Sequence, residues 1–295
     1  MSPQPLTVAV TGPTGEIGAS AVDALDRNPK VGRILGMARR PFDPAGRGWR
    51  KVEYRQGDIL DAEAVRSFVE DADVVVHLAY LIMGSRQESR HINLAGTRNV
   101  FEATVAAARP SRLVYTSSVA AYGYHADNPV PLTEDVPARG SAEHYYSEQK
   151  AECEALLAET TAGSELQVYV LRPCIVAGPQ ATALADNLPW RKVSERLPQA
   201  VVKLLSAAPG LRPIIPDPGT PLQLCTTTTW PLPSSPLRWA GSEVLARLPL
   251  VPAMAEWLHI MRASVVMDTS AAKRELQWSP EHTSAQTLAA MAAVL

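Results

Sequence analysis

Through its first 180 or so residues the chain alternates short β-rich runs with helical stretches, and that alternation narrows the fold more than any other feature. Leu6–Val10 is a β-rich run leading into a glycine-rich turn, and Ile17–Leu25 reads as a helix. Arg33–Ala38 and Val52–Arg55 read as strands, and Ala62–Glu70 has helical periodicity. Asp73–Ala79 is a continuous apolar run, as expected of a strand buried on both faces. A long helix over Asn93–Ala108, a strand over Arg112–Ser117, a helix over Tyr145–Glu159 and a strand over Leu166–Arg172 follow. Such an order implies right-handed crossovers and an α/β fold around a mostly parallel sheet.

Ligands of such sheets lie beyond the carboxyl ends of the strands. The chemistry-bearing residues fall there: the glycine turn after the first strand, Arg39 and Arg40 after the second, Asp58 after the third, Ala79 after the fourth and Ser118 after the fifth. The turn reads Thr11-Gly12-Pro13-Thr14-Gly15-Glu16-Ile17-Gly18. Gly12 suits a tight turn, Gly15 lets backbone approach a pyrophosphate, and Gly18 permits close packing of helix on strand. The following helix presents free N–H groups and a partial positive charge to an anion. Between a strand and a helix, this spacing predicts a dinucleotide site on a Rossmann-type doubly wound sheet. Arg39 and Arg40 stand where an NAD site places a carboxylate for the ribose 2′-hydroxyl, and arginine suits a 2′-phosphate, so NADP is favoured over NAD. Asp58 has two readings, an acceptor for the adenine amino group or the cap of the next helix.

Composition closes off other classes. A net charge of -2 over 295 residues gives no footprint for nucleic acid. No apolar run reaches the roughly 20 residues that span a bilayer, and the amino terminus has no signal-peptide pattern. Three cysteines, Cys153, Cys174 and Cys225, show no metal spacing and argue against a disulfide framework. A cytoplasmic protein with reduced thiols is expected, with Cys174 in the core and no metal site.

Tyr146 and Lys150 lie four apart on the helix and so share a face. An ammonium beside a phenol lowers the tyrosine pKa from about 10 toward neutrality, the setting for proton-coupled hydride chemistry. Tyr145 has no lysine four residues on, and His77 reads as a buried histidine rather than a catalyst.

These residues carry a resemblance. The glycine turn, Gly57-Asp58, His77-Leu78-Ala79, Asn93-Leu94-Ala95-Gly96-Thr97, Thr116-Ser117-Ser118, Tyr122-Gly123, Tyr146 to Lys150, Leu171-Arg172-Pro173 and Gly178-Pro179 occur in one order. In that order the chain resembles the extended short-chain dehydrogenase/reductases, the NAD-dependent epimerase/dehydratase group. The resemblance implies that Tyr146 is the general acid/base, that Lys150 bonds the nicotinamide ribose, and that Ser118 holds the substrate oxygen with help from Ser117. It implies a cofactor surface of Gly12, Thr14, Gly15, Glu16, Ile17, Gly18, Arg39, Arg40, Asp58, Ile59, Leu78, Ala79, Tyr80, Asn93, Thr116, Ser117, Tyr146, Lys150, Pro173 and Ile175. Tyr80, Leu81, Met83, Ser85, Tyr124 and His125 are candidate substrate-wall residues. The expected function is an NAD(P)-dependent oxidoreductase or epimerase acting on a hydroxyl or carbonyl carbon of a small or nucleotide-sugar-like molecule. The alternative is a non-catalytic NADP-binding sensor or interaction protein on the same fold. The expected partner is a small molecule, with a homodimer allowed and neither nucleic acid nor membrane involved.

Residues 1–178 are expected to form the Rossmann domain and 179–295 a smaller, irregular, proline-rich substrate lobe. Within that lobe, Leu224-Cys225-Thr226-Thr227-Thr228-Thr229-Trp230-Pro231 stands where the family carries histidine and aspartate. The family-like peptide Leu-Val-His-His-Asp-Asp-Val-Ala can be encoded CTG GTG CAC CAC GAC GAC GTG GCC. Losing one G gives CTG TGC ACC ACG ACG ACG TGG CC, which reads Leu-Cys-Thr-Thr-Thr-Thr-Trp-Pro. A shifted reading frame from about Cys225 to about Arg238 is therefore expected, against a natural threonine-rich loop as the alternative. Family texture returns at Val266-Met267-Asp268-Thr269 and Leu276-Gln277-Trp278-Ser279-Pro280.

Overall fold

The computed structural model of the chain describes residues 4–174 apart from Met83, Val176, and 265–290 apart from 284, 285 and 288. Met83, Ile175, the proline-rich stretch after Gly178 and the 225–238 segment lie outside the described residues. Two compact units divide the chain: one holds the described residues to Cys174 with 265–269, and the other holds Val176 and those from Ser270.

The first unit follows the order β1 (Leu6–Thr11), α1 (Glu16–Arg27), β2 (Val31–Ala38), β3 (Val52–Gln56), α2 (Ala62–Val69), β4 (Val74–His77), α3 (Arg86–Arg90), α4 (Gly96–Ala106), β5 (Arg112–Thr116), α5 (Tyr145–Thr161) and β6 (Gln167–Leu171). All six strands pair in parallel in the order β3-β2-β1-β4-β5-β6, the doubly wound Rossmann arrangement. In the second unit, α6 spans Ser270–Glu275. Among the described residues no helix is long and apolar enough to cross a membrane.

The period of two along the strands sorts the core into two layers. Val8 and Val10 of β1 pack with Val22 and Ile34 beside α1, while Ala9 faces the opposite layer with Leu35, Phe68, Val75, Phe101, Leu113 and Leu157. Helices α2, α4 and α5 cover that second layer, so the central strands β1 and β4 are apolar on both faces. Asp73 ties the amino edge together by accepting from the Thr7 N–H at 2.7 Å and from Arg109 at 2.9 Å. The Arg109 guanidinium lowers the Asp73 pKa, and burial opposes it.

The helix expected over Asn93–Ala108 is built differently. Five polar residues form α3, a π-helical turn spans His91–Ala95, and α4 begins at Gly96. The widened turn carries buried Asn93 inward, where its amide bonds Leu81 and Gln149.

Candidate functional site

The glycine turn forms as the spacing requires. Gly12 has φ +71°, and a Cβ there would stand 2.8 Å from the Ala79 nitrogen. At Gly18 a Cβ would stand 2.0 Å from the Gly12 carbonyl oxygen, so only glycine lets α1 close on the turn. At Gly15 the nearest protein atom to a Cβ is the Gly12 oxygen at 3.5 Å, an ordinary contact. The protein therefore has room for a side chain at Gly15, and the space left open lies at the start of α1. Gly15 caps α1 with no side-chain bond, so the first turn's N–H groups are presented from bare backbone, with Thr14 and Ile17 exposed beside them. This cradle fits a pyrophosphate.

Thr11 joins the turn to the end of β4. Its hydroxyl accepts from the Leu78 and Ala79 N–H groups, each at 3.2 Å, and lies 2.7 Å from His77 Nδ1. Thr97 Oγ1 meets His77 Nε2 at 3.0 Å. Burial, with Lys150 nearby, lowers the His77 pKa to about 3, so the ring is a neutral structural group.

Beyond β2, Arg39 and Arg40 are exposed, while β3 side chains pin the backbone beneath them. The Tyr54 hydroxyl bonds the Ala38 and Arg40 carbonyls, and Gln56 donates to the Arg39 carbonyl at 3.0 Å. Asp58 is not the cap of α2: its carboxylate accepts from the Leu60 N–H, and Asp61 caps the helix by accepting from Glu63 and Ala64. Ile59 is buried against Gly96. Asn93, expected at the cofactor, uses both amide hydrogens and its carbonyl within the protein, holding Leu81 and Gln149.

The strand-five turn and α5 bring Ser118, Tyr146 and Lys150 together. Ser118 follows β5, and its hydroxyl accepts from the Ala120 N–H at 3.1 Å, on the side of the turn that faces the partly buried Tyr146 phenol. Lys150, one turn on, is 3% exposed and donates to the Thr116 carbonyl at 2.8 Å. Its Nζ stands 3.6 Å from the Tyr80 ring centroid, 5.1 Å from that of Tyr115 and 6.0 Å from that of Tyr146. The ammonium thus faces Tyr80 first, a cation–π contact. That corrects the expectation of a lowered tyrosine pKa. Burial raises the Tyr146 pKa, and the Ser118 hydroxyl partly offsets it. Burial also lowers the Lys150 pKa to about 7, while Cys153 and Glu154 act to raise it. Tyr145 is spent elsewhere, donating to the Ile82 carbonyl at 2.6 Å.

Behind Ser118 lies a network the sequence reading missed. Glu154 accepts from the Ser117 hydroxyl at 2.5 Å and from both sides of the Arg172 fork at 2.9 and 2.6 Å. Arg172 also donates to the Tyr122 hydroxyl at 2.8 Å. The i,i+4 spacing from Lys150 to Glu154 was the available signal. Pro173 accepts from the Val119 N–H at 3.1 Å. Cys174 is exposed rather than in the core, because it lies past the end of β6. Tyr124 is partly buried with its ring edge-on to His144, and His125 Nε2 meets the Gly140 carbonyl at 2.6 Å. Among the described residues no group of three or more His, Cys, Asp or Glu could hold a metal ion.

A parallel sheet in this order, with a glycine cradle at β1 and serine, tyrosine and lysine gathered past β5, defines a protein of the extended short-chain dehydrogenase/reductase class. A model of the NAD dependent epimerase/dehydratase family matches residues 8–216, and the chain belongs to that family. It is 32% identical over 190 residues to sterol demethylase protein B of Methylococcus capsulatus, covering 59% of this chain and 52% of that protein. It is 30% identical over 183 residues to an (S)-8-oxocitronellyl enol synthase of Camptotheca acuminata, covering 57% of this chain and 46% of that one. The chain thus spans about half the length of the curated relatives it matches. The solved UDP-glucuronic acid 4-epimerase of Bacillus cereus, in complex with NAD, shares the fold with a TM-score of 0.63 at 18% identity over 98% of both chains.

Proposed function

We propose that the chain is an NAD(P)-dependent enzyme that oxidises, reduces or epimerises a hydroxyl- or carbonyl-bearing carbon of a small or nucleotide-sugar-like substrate. The observation that carries this reading is the packing of α5, with Tyr146 and Lys150 one turn apart, onto the turn that carries Ser118 at the carboxyl edge of the sheet, through Ser147 to the Ala120 carbonyl and Lys150 to the Thr116 carbonyl. Membership in a family named for NAD-dependent epimerases and dehydratases supports it.

When bound, a nicotinamide supplies the hydride donor or acceptor. The chain's own residues bind, orient and move the proton. Gly15 and the start of α1 receive the pyrophosphate. Ser118 holds the substrate oxygen, and Tyr146 gives it a proton or takes one away. With its pKa raised, Tyr146 carries its proton in the free protein, the form that donates to a carbonyl oxygen. Lys150 reaches the nicotinamide ribose, and Arg39 and Arg40 take a 2′-phosphate, which places NADP ahead of NAD. A homodimer and a cytoplasmic location complete the reading.

Titration of the purified chain with NADH and NADPH is the first test, followed by turnover on a panel of nucleotide sugars and small ketones. NADPH should bind more tightly, and equal affinities would remove the arginine assignment. Tyr146→Phe should lower kcat by about 10²–10⁴-fold and leave cofactor affinity within about twofold. If parent and variant both bind cofactor and neither turns over any probe, the protein is a nucleotide sensor instead.

A further inference from the structure

Helix α5 grips the turn that carries Ser118 at three points, all on one helical face. Ser147 Oγ donates to the Ala120 carbonyl at 2.6 Å, Lys150 Nζ donates to the Thr116 carbonyl at 2.8 Å, and Glu154 accepts from the Ser117 hydroxyl at 2.5 Å. These helix positions follow the i, i+3, i+7 pattern of one stripe. Ser118 lies between the gripped residues, so the register of α5 against this turn sets where its hydroxyl faces Tyr146. From the other side β6 and its extension hold the same turn, through Ser117 N–H to the Leu171 carbonyl at 2.7 Å and Val119 N–H to the Pro173 carbonyl at 3.1 Å.

Glu154 is the charged member of this grip. Its carboxylate is 9% exposed and Arg172 is 19% exposed, in a two-pronged pair. A carboxylate held this way accepts in fixed directions, so the Ser117 hydroxyl has one place to go. Arg172 extends the rigidity to Tyr122, whose hydroxyl donates to the Thr133 carbonyl at 3.1 Å.

We propose that Glu154 is a positioning residue that fixes the Ser118 turn against Tyr146, through its bond to Ser117 and its pair with Arg172. The proposal rests on the reading of Ser118, Tyr146 and Lys150 as the proton-handling group.

The test uses the full chain without substrate. Tyr146 is followed by 19F resonance in protein labelled with 3-fluorotyrosine, assigned by its loss in Tyr146→Phe. Three variants are compared: Ser117→Ala, which keeps the ion pair; Ser118→Ala, which removes the Ser118 hydroxyl; and the double variant Glu154→Gln with Arg172→Gln, which removes both charges and leaves none unpaired. In Ser117→Ala and in the double variant the Tyr146 resonance should move toward its position in Ser118→Ala. A merely structural role would leave that resonance in place in a folded variant. If Ser117→Ala or the folded double variant leaves the Tyr146 resonance at the parent position, the proposal is overturned. Should the double variant not fold, Ser117→Ala and Glu154→Asp decide it by the same Tyr146 signal, an unmoved resonance in both overturning it. Failure of the catalytic reading shows separately, as Tyr146→Phe retaining turnover.

Discussion

His77 shows how one side chain can look catalytic and be structural. It sits at the end of β4 beside the cofactor cradle, yet both ring nitrogens meet threonine hydroxyls and the ring is 1% exposed. Its folded pKa is about 3 against an ordinary 6.5, so between these values the unfolded chain binds a proton that the folded chain does not. The stability it contributes is full above about pH 6.5 and is lost as pH falls toward about 3. At about 1.4 kcal/mol per unit, the loss on going from pH 7 to pH 5 is at most about 2 kcal/mol. His77→Asn should be less stable at every pH but should show a flatter slope between pH 7 and 5 in urea unfolding. Equal slopes for parent and variant would rule His77 out as the titrating group. The sequence made His77 visible as buried, but not its partners, because Thr11 and Thr97 lie 66 and 20 residues away.

At the scale of elements, the central strands were legible because burial on both faces leaves continuous apolar runs, and the glycine turn because its spacing between a strand and a helix lies within eight residues, although the atoms that exclude a side chain at Gly12 belong to distant Leu78 and Ala79. Helix α3 was not legible. Arg-Gln-Glu-Ser-Arg has no apolar stripe, and its support comes from afar, with Arg86 paired to Glu148 at 2.9 Å and Arg90 to Glu152 at 2.6 Å. The π-helical turn was hidden because Ile92 and Leu94 continue an apolar pattern across it. At the site, the Tyr146–Lys150 spacing correctly put both groups on α5, but spacing carries no information on which ring the ammonium faces. Tyr80, from another strand end, occupies that position. The two glycines of the turn separate fold from binding. Gly18→Ala places a methyl group against the Gly12 carbonyl and should yield no folded protein. Gly15→Ala meets only an ordinary contact and should melt close to the parent while filling the approach to the phosphates. Its NADPH affinity should fall about tenfold, a loss of about 1.4 kcal/mol. If Gly15→Ala binds NADPH as the parent does, the cradle is not the phosphate site.

For the whole molecule, the proposed cofactor half and the proposed substrate lobe make separable demands. Every group assigned to proton movement, and the grip of α5 on the Ser118 turn, belongs to the unit that includes residues to Cys174. On the proposed reading, cofactor binding depends on that unit's own packing, turnover also requires a lobe that holds substrate, and the anomaly at Cys225–Arg238 bears on the second demand alone. We propose a shifted frame there, with a natural threonine-rich loop as the alternative, because losing one G from codons that can encode the family-like peptide would give Leu-Cys-Thr-Thr-Thr-Thr-Trp-Pro, the eight residues from Leu224 to Pro231. Resequencing the gene is the direct check, and a confirmed reading frame with unrelated codons would remove the idea. If the frame is shifted, a gene with the reading frame restored through this segment should give protein that binds NADPH within about twofold of the parent and gains turnover on the nucleotide-sugar and ketone panel. Equal turnover by both proteins would mean that the segment is a natural loop that the substrate site tolerates. A change in cofactor affinity instead would mean that the two halves are energetically coupled, and the cradle at α1 could not be treated apart from the lobe.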